Sequence, residues 1–367
     1  MRLLFVCRML DNVAGGVEHM AINIMNAMVE RGHEVSLFTW DLAGARAYFP
    51  MHDSIAWHQL DMGHAGQTAN SLTRAKRTLI FRRIVRRKQP EVVIAFQHGP
   101  WLFAEIGLLG LDIPVILAER NAPDRFDHTR AGRHRRLIWQ SMRSAAAIAV
   151  QSESFVDRYP AYLRARMVVI PNPVFAADGR AQHSANKDHR TLLSVGRLSY
   201  QKNYAALLRA FAGLTGSFPE WRLRIVGEGE ERPALESLVD DLDIEDRVSL
   251  PGAIRDIAPE YRAADLFCLP SRWEGFPNTL AEAMAHGLPV VAYAGCAGTS
   301  QLIEPGQNGL LASGNGDPDA LAVKLSKLME NDKARGRMGA FATELVGRFD
   351  SDKLYDRWER LFRRVRL

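Results

Sequence analysis

The chain has 367 residues, 47% of them hydrophobic and 24% charged, with a formal net charge of +5. That length exceeds a typical single domain, and the composition is that of a globular protein, which excludes disordered and fibrous classes. Cys7, Cys268 and Cys296 lie in apolar or Gly-rich surroundings without CxxC spacing. They read as reduced core thiols of a cytoplasmic protein, not as disulfides or zinc ligands. The N-terminal MRLLFVCRML is too short and too charged for a membrane span and lacks a cleavage site.

In chain order, residues 3–7, 34–40, 91–96, 114–119, 147–152 and 167–171 are short apolar runs that read as buried strands. Helical patterns lie between them, clearest over 17–32, where Gly32 is the stop signal. Residues 175–190, FAADGRAQHSANKDHR, lack periodicity and read as a linker. The alternation then restarts. Strands are expected at 191–198, 221–229, 247–252, 266–271 and 289–294, with helices from about Asn203, Arg232 and Asn278. The final segment is one more amphipathic helix. Strand–helix alternation of this kind predicts an α/β protein with two parallel sheets, each covered on both faces. The expected divisions are 1–174, a linker at 175–190, 191–348, and a C-terminal helix at 349–367.

Charge is unevenly placed. Residues 1–173 hold 22 Lys/Arg against 15 Asp/Glu, a local +7, and the remainder sums to −2. The run 73–88, TRAKRTLIFRRIVRRK, contains no acid, and 130–143 is a second basic cluster. In the first, Leu72, Leu79, Ile80 and Ile84 can share a helical face. This reads either as a solvated helix or as one lying on an anionic membrane surface. No recognition motif accompanies the charge, so a nucleic-acid partner is not expected.

In open parallel sheets, ligands sit beyond the carboxyl ends of the strands. After the 191–198 run come Arg197 and then Lys202 at a helix start, two cations placed for a multiply charged anion, or else simple surface charges. After the 266–271 run comes Glu274, then the turn Gly275-Phe276-Pro277-Asn278, then a helix opening near Thr279. Free N–H groups at that helix start make a metal-free diphosphate cradle. Glu282, near the first turn of the helix, can hold ribose hydroxyls, and Glu274 can hold hydroxyls beyond the diphosphate. The plainer alternative is a dipole-stabilising Glu282 and a solvent-facing Glu274. DLD at 241–243 has the spelling of a divalent-cation motif but reads as a solvated loop, so no metal is expected.

The pattern Glu274-x7-Glu282 within EGFPNTLAEAMAHGLPVV, together with GRLSYQKN (196–203), VGEGEER (226–232), LPG followed by Asp256, and GGVEH (15–19), resembles the retaining glycosyltransferases of family four, also called group 1. The resemblance spans most of the chain and is densest over 191–312. It implies the GT-B fold: two Rossmann-like domains facing across a cleft, with the C-terminal helix crossing back to the N-terminal domain. It implies a nucleotide-diphosphate sugar donor, a sugar or lipid-linked acceptor, and no cofactor or metal. Arg197 and Lys202 would then neutralise the leaving diphosphate and Glu274 would hold the donor sugar. Gly16, Gly196, Gly227, Phe276, Asn278, Thr279 and Glu282 would line the donor site, with the base near 251–256. Gly15, Glu18, His98 and Arg120 would lie on the acceptor side. Arg120, in AERNAP, stands where many relatives carry a His, and an Arg cannot serve as a base. His98, in FQHGP, is the alternative polar group there, or a structural histidine. The resemblance further suggests polysaccharide, lipopolysaccharide or glycan assembly on the cytoplasmic face of the inner membrane.

Three rival classes compete with this reading. A dehydrogenase needs G-x-G-x-x-G after the first strand, and NVAGGVEH lacks it. A nucleotide-sugar epimerase would share the fold but would need no acceptor and no basic face. A catalytically silent sugar-nucleotide module is suggested only by Arg120 and opposed by the intact Arg197, Lys202, Glu274 and Glu282.

Overall fold

The computed structural model describes residues 1–62, 70–181, 189–299 and 301–366. The chain forms two compact units, Met1–Asn172 with Asp352–Leu367, and Pro173–Ser351. Of the linker expected at 175–190, residues 182–188 lie outside the described residues.

The first unit is a seven-stranded, all-parallel sheet. Its strands are β1 (Arg2–Val6), β2 (Glu34–Thr39), β3 (Ala56–Gln59), β4 (Val92–Phe96), β5 (Val115–Ala118), β6 (Ala147–Val150) and β7 (Met167–Val169), in the order β3-β2-β1-β4-β5-β6-β7. The runs are almost wholly apolar because both faces are covered. Strand alternation sends Leu3 and Phe5 to one face, where α1 (Gly16–Glu30) contributes Met25 and Met28 and the C-terminal helix (Ser351–Arg366) contributes Trp358 and Phe362. Leu4 and Val6 go to the other face, under α2 (Ser71–Lys88) and α3 (His98–Gly107), beside Phe81, Val85 and Trp101. The C-terminal helix is tied to α1 by Arg31, which meets Asp356 at 2.5 Å and Glu359 at 3.4 Å. The Arg366–Glu91 pair, at 2.7 Å, fixes its end to the sheet. Strand β3 escaped the sequence reading because it is four half-buried residues at the sheet edge. Its Trp57 donates to Thr39 Oγ1 at 2.9 Å.

The expected apolar face of α2 divides in two. Ile80 and Ile84 pack inward beside Phe81 and Val85, while Leu72 and Leu79 are 65% and 66% exposed. At 3.6 residues per turn, positions 72 and 79 fall opposite position 81, so one helix cannot send all four side chains the same way.

The second unit is a six-stranded parallel sheet of β8 (Arg190–Val195), β9 (Trp221–Val226), β10 (Val248–Gly252), β11 (Leu266–Leu269), β12 (Val290–Tyr293) and β13 (Gly309–Ala312). Its order is β10-β9-β8-β11-β12-β13. Strand β13 is short and opens on Gly309, where a Cβ would fall 2.5 Å from Val290 O, so its sequence does not spell a strand. The three cysteines are free and buried. No helix among the described residues is long and apolar enough to cross a membrane.

Candidate functional site

Strand order reverses between β8 and β11 in the second unit, and such a reversal is where doubly wound sheets hold ligands. The two strands pair only through Leu192–Leu266 and Leu193–Phe267, and Ser194 Oγ then donates to Cys268 O at 2.6 Å. Past that point the loops following each strand meet through side chains. Lys202, after β8, places Nζ 2.7 Å from Glu274 Oε1, after β11. Ser271 Oγ donates to the same oxygen at 2.7 Å. The Lys202 and Glu274 side chains are 15% and 8% exposed, so the ion pair is largely shielded from water and correspondingly strong. Asn203, in the left-handed region with φ of 55°, donates to Pro270 O at 3.3 Å and accepts from Arg272 at 2.7 Å, which locks the two loops together.

The backbone of Glu274 is held from a third direction. Its N–H donates to Ala297 O at 3.1 Å, and Gly298, with φ of 93°, passes so close that a Cβ would sit 2.5 Å from Glu274 O. Gly298 was not legible as a site residue. Its signal is a glycine in GCAG just beyond β12.

The helix Asn278–Ala285 follows the turn. Asn278 N–H is taken by Phe276 O at 3.0 Å and Ala281 N–H by Pro277 O at 3.0 Å. Helix geometry leaves the N–H groups of Thr279 and Leu280 without intrahelical acceptors. Thr279 Oγ1 is buried and has no partner among the described residues. An unsatisfied buried hydroxyl beside free amides at a helix start is chemistry suited to a phosphate. The side chain of Phe276 packs edge-on against Phe349 at 5.4 Å between ring centres, which anchors the turn.

Glu282, one turn further on, accepts a hydrogen bond from the Tyr261 hydroxyl at 2.8 Å. Burial holds its carboxyl above the usual range, and the Tyr261 bond and the Lys202 charge pull it back down. Lys202 therefore acts on both glutamates singled out from the sequence. Tyr261 is itself fully buried and stacks on His286 at 5.0 Å. Sequence reasoning missed it because it lies in a separate short helix, Ala258–Ala263.

Arg197 is placed differently from expectation. Its side chain is 72% exposed and paired with Glu230 at 3.0 Å, not with the Lys202–Glu274 pair. Gly196 and Gly227 serve a close approach of the loops that follow β8 and β9: a Cβ on Gly227 would lie 2.0 Å from Gly196 O. Their N–H groups are committed to Val226 O and Gly252 O, at 3.0 and 2.9 Å.

In the first unit the order reverses between β1 and β4. Gly15 caps α1 and Gly16 begins it, and the Glu18 carboxylate folds back so tightly that a Cβ on Gly15 would lie 2.0 Å from its Oε2. Burial pushes the Glu18 carboxyl up, opposed by a hydrogen bond from its own backbone N–H. His98 opens α3 and lies 2.9 Å from Ser141 Oγ through Nε2. Ser141 gives its proton to Ile138 O at 2.7 Å, so His98 Nε2 carries the hydrogen and donates. Arg120 is a buried brace: it donates to Ile170 O at 3.0 Å and to Asn172 Oδ1, with its guanidinium 5.7 Å from the Trp358 ring. Burial lowers its pKa to about 9, against the raising influence of Glu119. Both amino groups are thus bound to the fold and not directed at a ligand.

Asp241 ends the helix Arg232–Asp241, and Asp243 occupies a left-handed turn position. Among the described residues no group of three His, Cys, Asp or Glu is placed to hold a metal ion.

Residues 15–173 match the family model of the glycosyl transferase 4-like domain, and residues 176–345 match glycosyl transferases group 1. An uncharacterized glycosyltransferase of Haemophilus influenzae is 28% identical over 94% of this chain and 96% of its own length. The GalNAc-alpha-(1->4)-GalNAc-alpha-(1->3)-diNAcBac-PP-undecaprenol alpha-1,4-N-acetyl-D-galactosaminyltransferase of Campylobacter jejuni is 24% identical over 100% of this chain and 99% of its own. Among solved structures, sucrose-phosphate synthase of Thermosynechococcus elongatus superposes with a TM-score of 0.85 at 19% identity, covering 99% and 98% of the two chains. Anabaena Alr3699/HepE in complex with UDP-glucose gives 0.79 at 19% identity, covering 97% and 98%. Matched along both of its halves, the chain belongs to the group 1, family four glycosyltransferases and has their GT-B fold.

Proposed function

We propose that this protein is a metal-independent, retaining hexosyltransferase. It takes a hexose from a nucleotide-diphosphate sugar, a UDP-sugar first and a GDP-sugar next, and passes it to a sugar or lipid-linked acceptor in bacterial polysaccharide, lipopolysaccharide or glycan assembly. The Lys202–Glu274 pair at the β8/β11 reversal carries the reading, because it sets a cation and a carboxylate beside a helix start whose first amides lack intrahelical acceptors. In the proposed roles, Lys202 meets the diphosphate and stabilises its charge at departure. Thr279 Oγ1 and the amides of Thr279 and Leu280 bind phosphate oxygens. Glu274 takes sugar hydroxyls and Glu282, steadied by Tyr261, takes the ribose. The acceptor attacks from the face the phosphate leaves, and the leaving phosphate assists its deprotonation. Arg197, exposed beside Glu230, reaches the diphosphate only by exchanging that partner.

Two findings about relatives support the choice of partners: the HepE complex contains UDP-glucose, and the Campylobacter enzyme is named for an undecaprenol-linked acceptor. The setting proposed is peripheral, on the cytoplasmic face of the inner membrane. Calorimetric titration with a panel of UDP- and GDP-sugars, with and without EDTA and beside Glu282→Ala, tests the donor site. One nucleotide sugar binding insensitively to EDTA, and lost in the variant, supports it. Turnover without acceptor would instead indicate an epimerase, and binding without any transfer a silent module. The anomeric configuration of the product, read by NMR, decides retention.

A further inference from the structure

We propose that the exposed ring of Tyr200 is a stacking platform for a hexopyranose, which makes Tyr200 a specificity-determining residue of the transfer. At 50% exposure it is the most exposed Phe, Tyr or Trp among the described residues. Lys202 N–H donates to Ser199 O at 2.9 Å, which closes a tight turn after β8 and sets Tyr200 at its corner. The Arg272 guanidinium lies over the ring, 4.5 Å from its centre, and Trp273 tilts against it at 6.1 Å between ring centres. The Tyr200 hydroxyl has no hydrogen-bond partner among the described residues.

An exposed tyrosine ordinarily moves among rotamers, and a ligand must stop that motion before it gains from the ring. Here the surroundings of the ring are already fixed. Arg272 Nε donates to Tyr200 O at 3.2 Å and its Nη2 to Asn203 Oδ1 at 2.7 Å. Arg272 N–H donates to Gln201 O at 2.8 Å, and Gln201 Nε2 donates to Trp273 O at 2.9 Å. Asn315 Nδ2 donates to Arg272 O at 2.6 Å, and a Cβ on Gly316 would fall 3.2 Å from Arg272 Nη1. Tyr162 gives the contrast. It is 41% exposed, with Arg143 5.4 Å from its ring centre. Tyr162 comes before β7 and Arg143 before β6, at the edge where those strands begin, and Arg143 is held only by Gln140 at 3.4 Å among the described residues. A surface cation–π contact explains that pair fully. Tyr200 and Arg272 instead follow β8 and β11, at the edge of the second sheet where ligands bind.

An aromatic face is negative and its edge positive. The C–H groups on one face of a pyranose are weakly positive, so a sugar ring lies flat on such a face, and a phenol hydroxyl offers a hydrogen bond at the rim. A nucleobase is the other flat partner, and the sheet order speaks against it. Tyr200 is strapped to the loop after β11, which is bound in turn to the loop after β13, whereas the base is proposed at 251–256, after β10, on the other side of β8. Trp273, beside the ring, immediately precedes Glu274, the residue proposed to take sugar hydroxyls. The inference rests on that proposed donor site and deepens it by naming a sugar-reading side chain. The donor hexose and the end of a saccharide acceptor both present the pyranose chemistry, and the two are separated by experiment.

The test has two arms on the full-length protein. In the first, UDP and GDP alone and their hexose derivatives are titrated by calorimetry. In the second, methyl glycosides of the same hexoses are bound without nucleotide and followed by saturation-transfer NMR. Tyr200→Ala is expected to bind UDP and GDP like the parent. It should weaken one arm about three- to tenfold: the hexose nucleotides where the platform holds the donor sugar, the methyl glycosides where it holds the acceptor. Tyr200→Phe keeps the ring face and should stay within about twofold of the parent. Tyr162→Ala should change neither arm. The proposal is overturned if Tyr200→Ala leaves both arms as they were, or if Tyr200→Phe loses as much as Tyr200→Ala. It is equally overturned if UDP alone weakens as much as its hexose derivatives, since Tyr200 would then only brace the loop that carries Lys202. A parent that binds no nucleoside diphosphate would sink the donor-site reading instead, and the glycoside arm, which needs no nucleotide, would still decide the role of Tyr200.

Discussion

Tyr261→Phe isolates one hydrogen bond from the rest of the site. The hydroxyl lies 2.8 Å from Glu282 Oε2 and 3.3 Å from Thr279 O, and with one proton it serves the nearer, charged oxygen. The ring is fully buried, so the variant keeps its packing and loses only the donor. A hydrogen bond to a charged group contributes about 1.5–3 kcal/mol. Glu282 is only partly buried, so the lower end applies, and about 1.5 kcal/mol corresponds to roughly tenfold in affinity. Donor Kd and KM should rise about tenfold, while kcat at saturating donor changes little, because the bond positions a binding group and not the reacting atoms. The pH dependence gives a second readout. Burial already raises the Glu282 carboxyl, and Tyr261 opposes that rise. In its proposed role Glu282 binds ribose in the ionised form, so donor affinity should be full above the raised pKa and fall as pH drops through it. Without the hydroxyl the pKa rises further, and the loss should begin at higher pH than in the parent. The reasoning fails if donor affinity and its acid limb are unchanged while the melting temperature falls, since that would make Tyr261 purely structural.

Lys202→Ala should lower kcat/KM about 10²–10³-fold, as expected for a lost charge-stabilising group. It should also destabilise the fold by up to about 3 kcal/mol, because Glu274 stays buried with only the Ser271 hydroxyl; adding Glu274→Gln should recover part of the stability in urea titrations and none of the activity. Gly227→Ala should cost about 3 kcal/mol or more and abolish donor binding, since its Cβ would fall 2.0 Å from Gly196 O at a φ of 149°. Gly336→Ala, helical and with nothing within 4 Å, should instead stabilise by about 0.5–1 kcal/mol in the same denaturation assay. Arg120→Met should cost about 1–3 kcal/mol by stripping donors from Ile170 O and Asn172, with kcat largely retained below the melting transition. A stable but inactive Arg120 variant would restore the acceptor-side role.

The sequence by itself determined the alternation of buried runs and helices, because a parallel sheet covered on both faces demands nearly continuous apolar strands. It also spelled out the residues of the proposed donor site: Lys202, Glu274, Thr279 and Glu282 lie in two short stretches, each just beyond a strand. Edge strands β3 and β13 were not legible, since four residues with one open side need little hydrophobic pattern. Tertiary structure alone decided the partners. Lys202 and Glu274 are 72 residues apart and meet because β8 and β11 are neighbours at the reversal of strand order. Tyr261 reaches Glu282 from another helix, and Gly298 reaches Glu274 from another loop. Arg197 and Arg120 look from their positions like ligand-binding cations, yet one is turned to Glu230 and the other is spent on the carbonyl of Ile170. Motif spacing fixes which residues arrive at a strand end. Where each long side chain then points depends on neighbours contributed by distant segments, and that information exists only once the chain has folded.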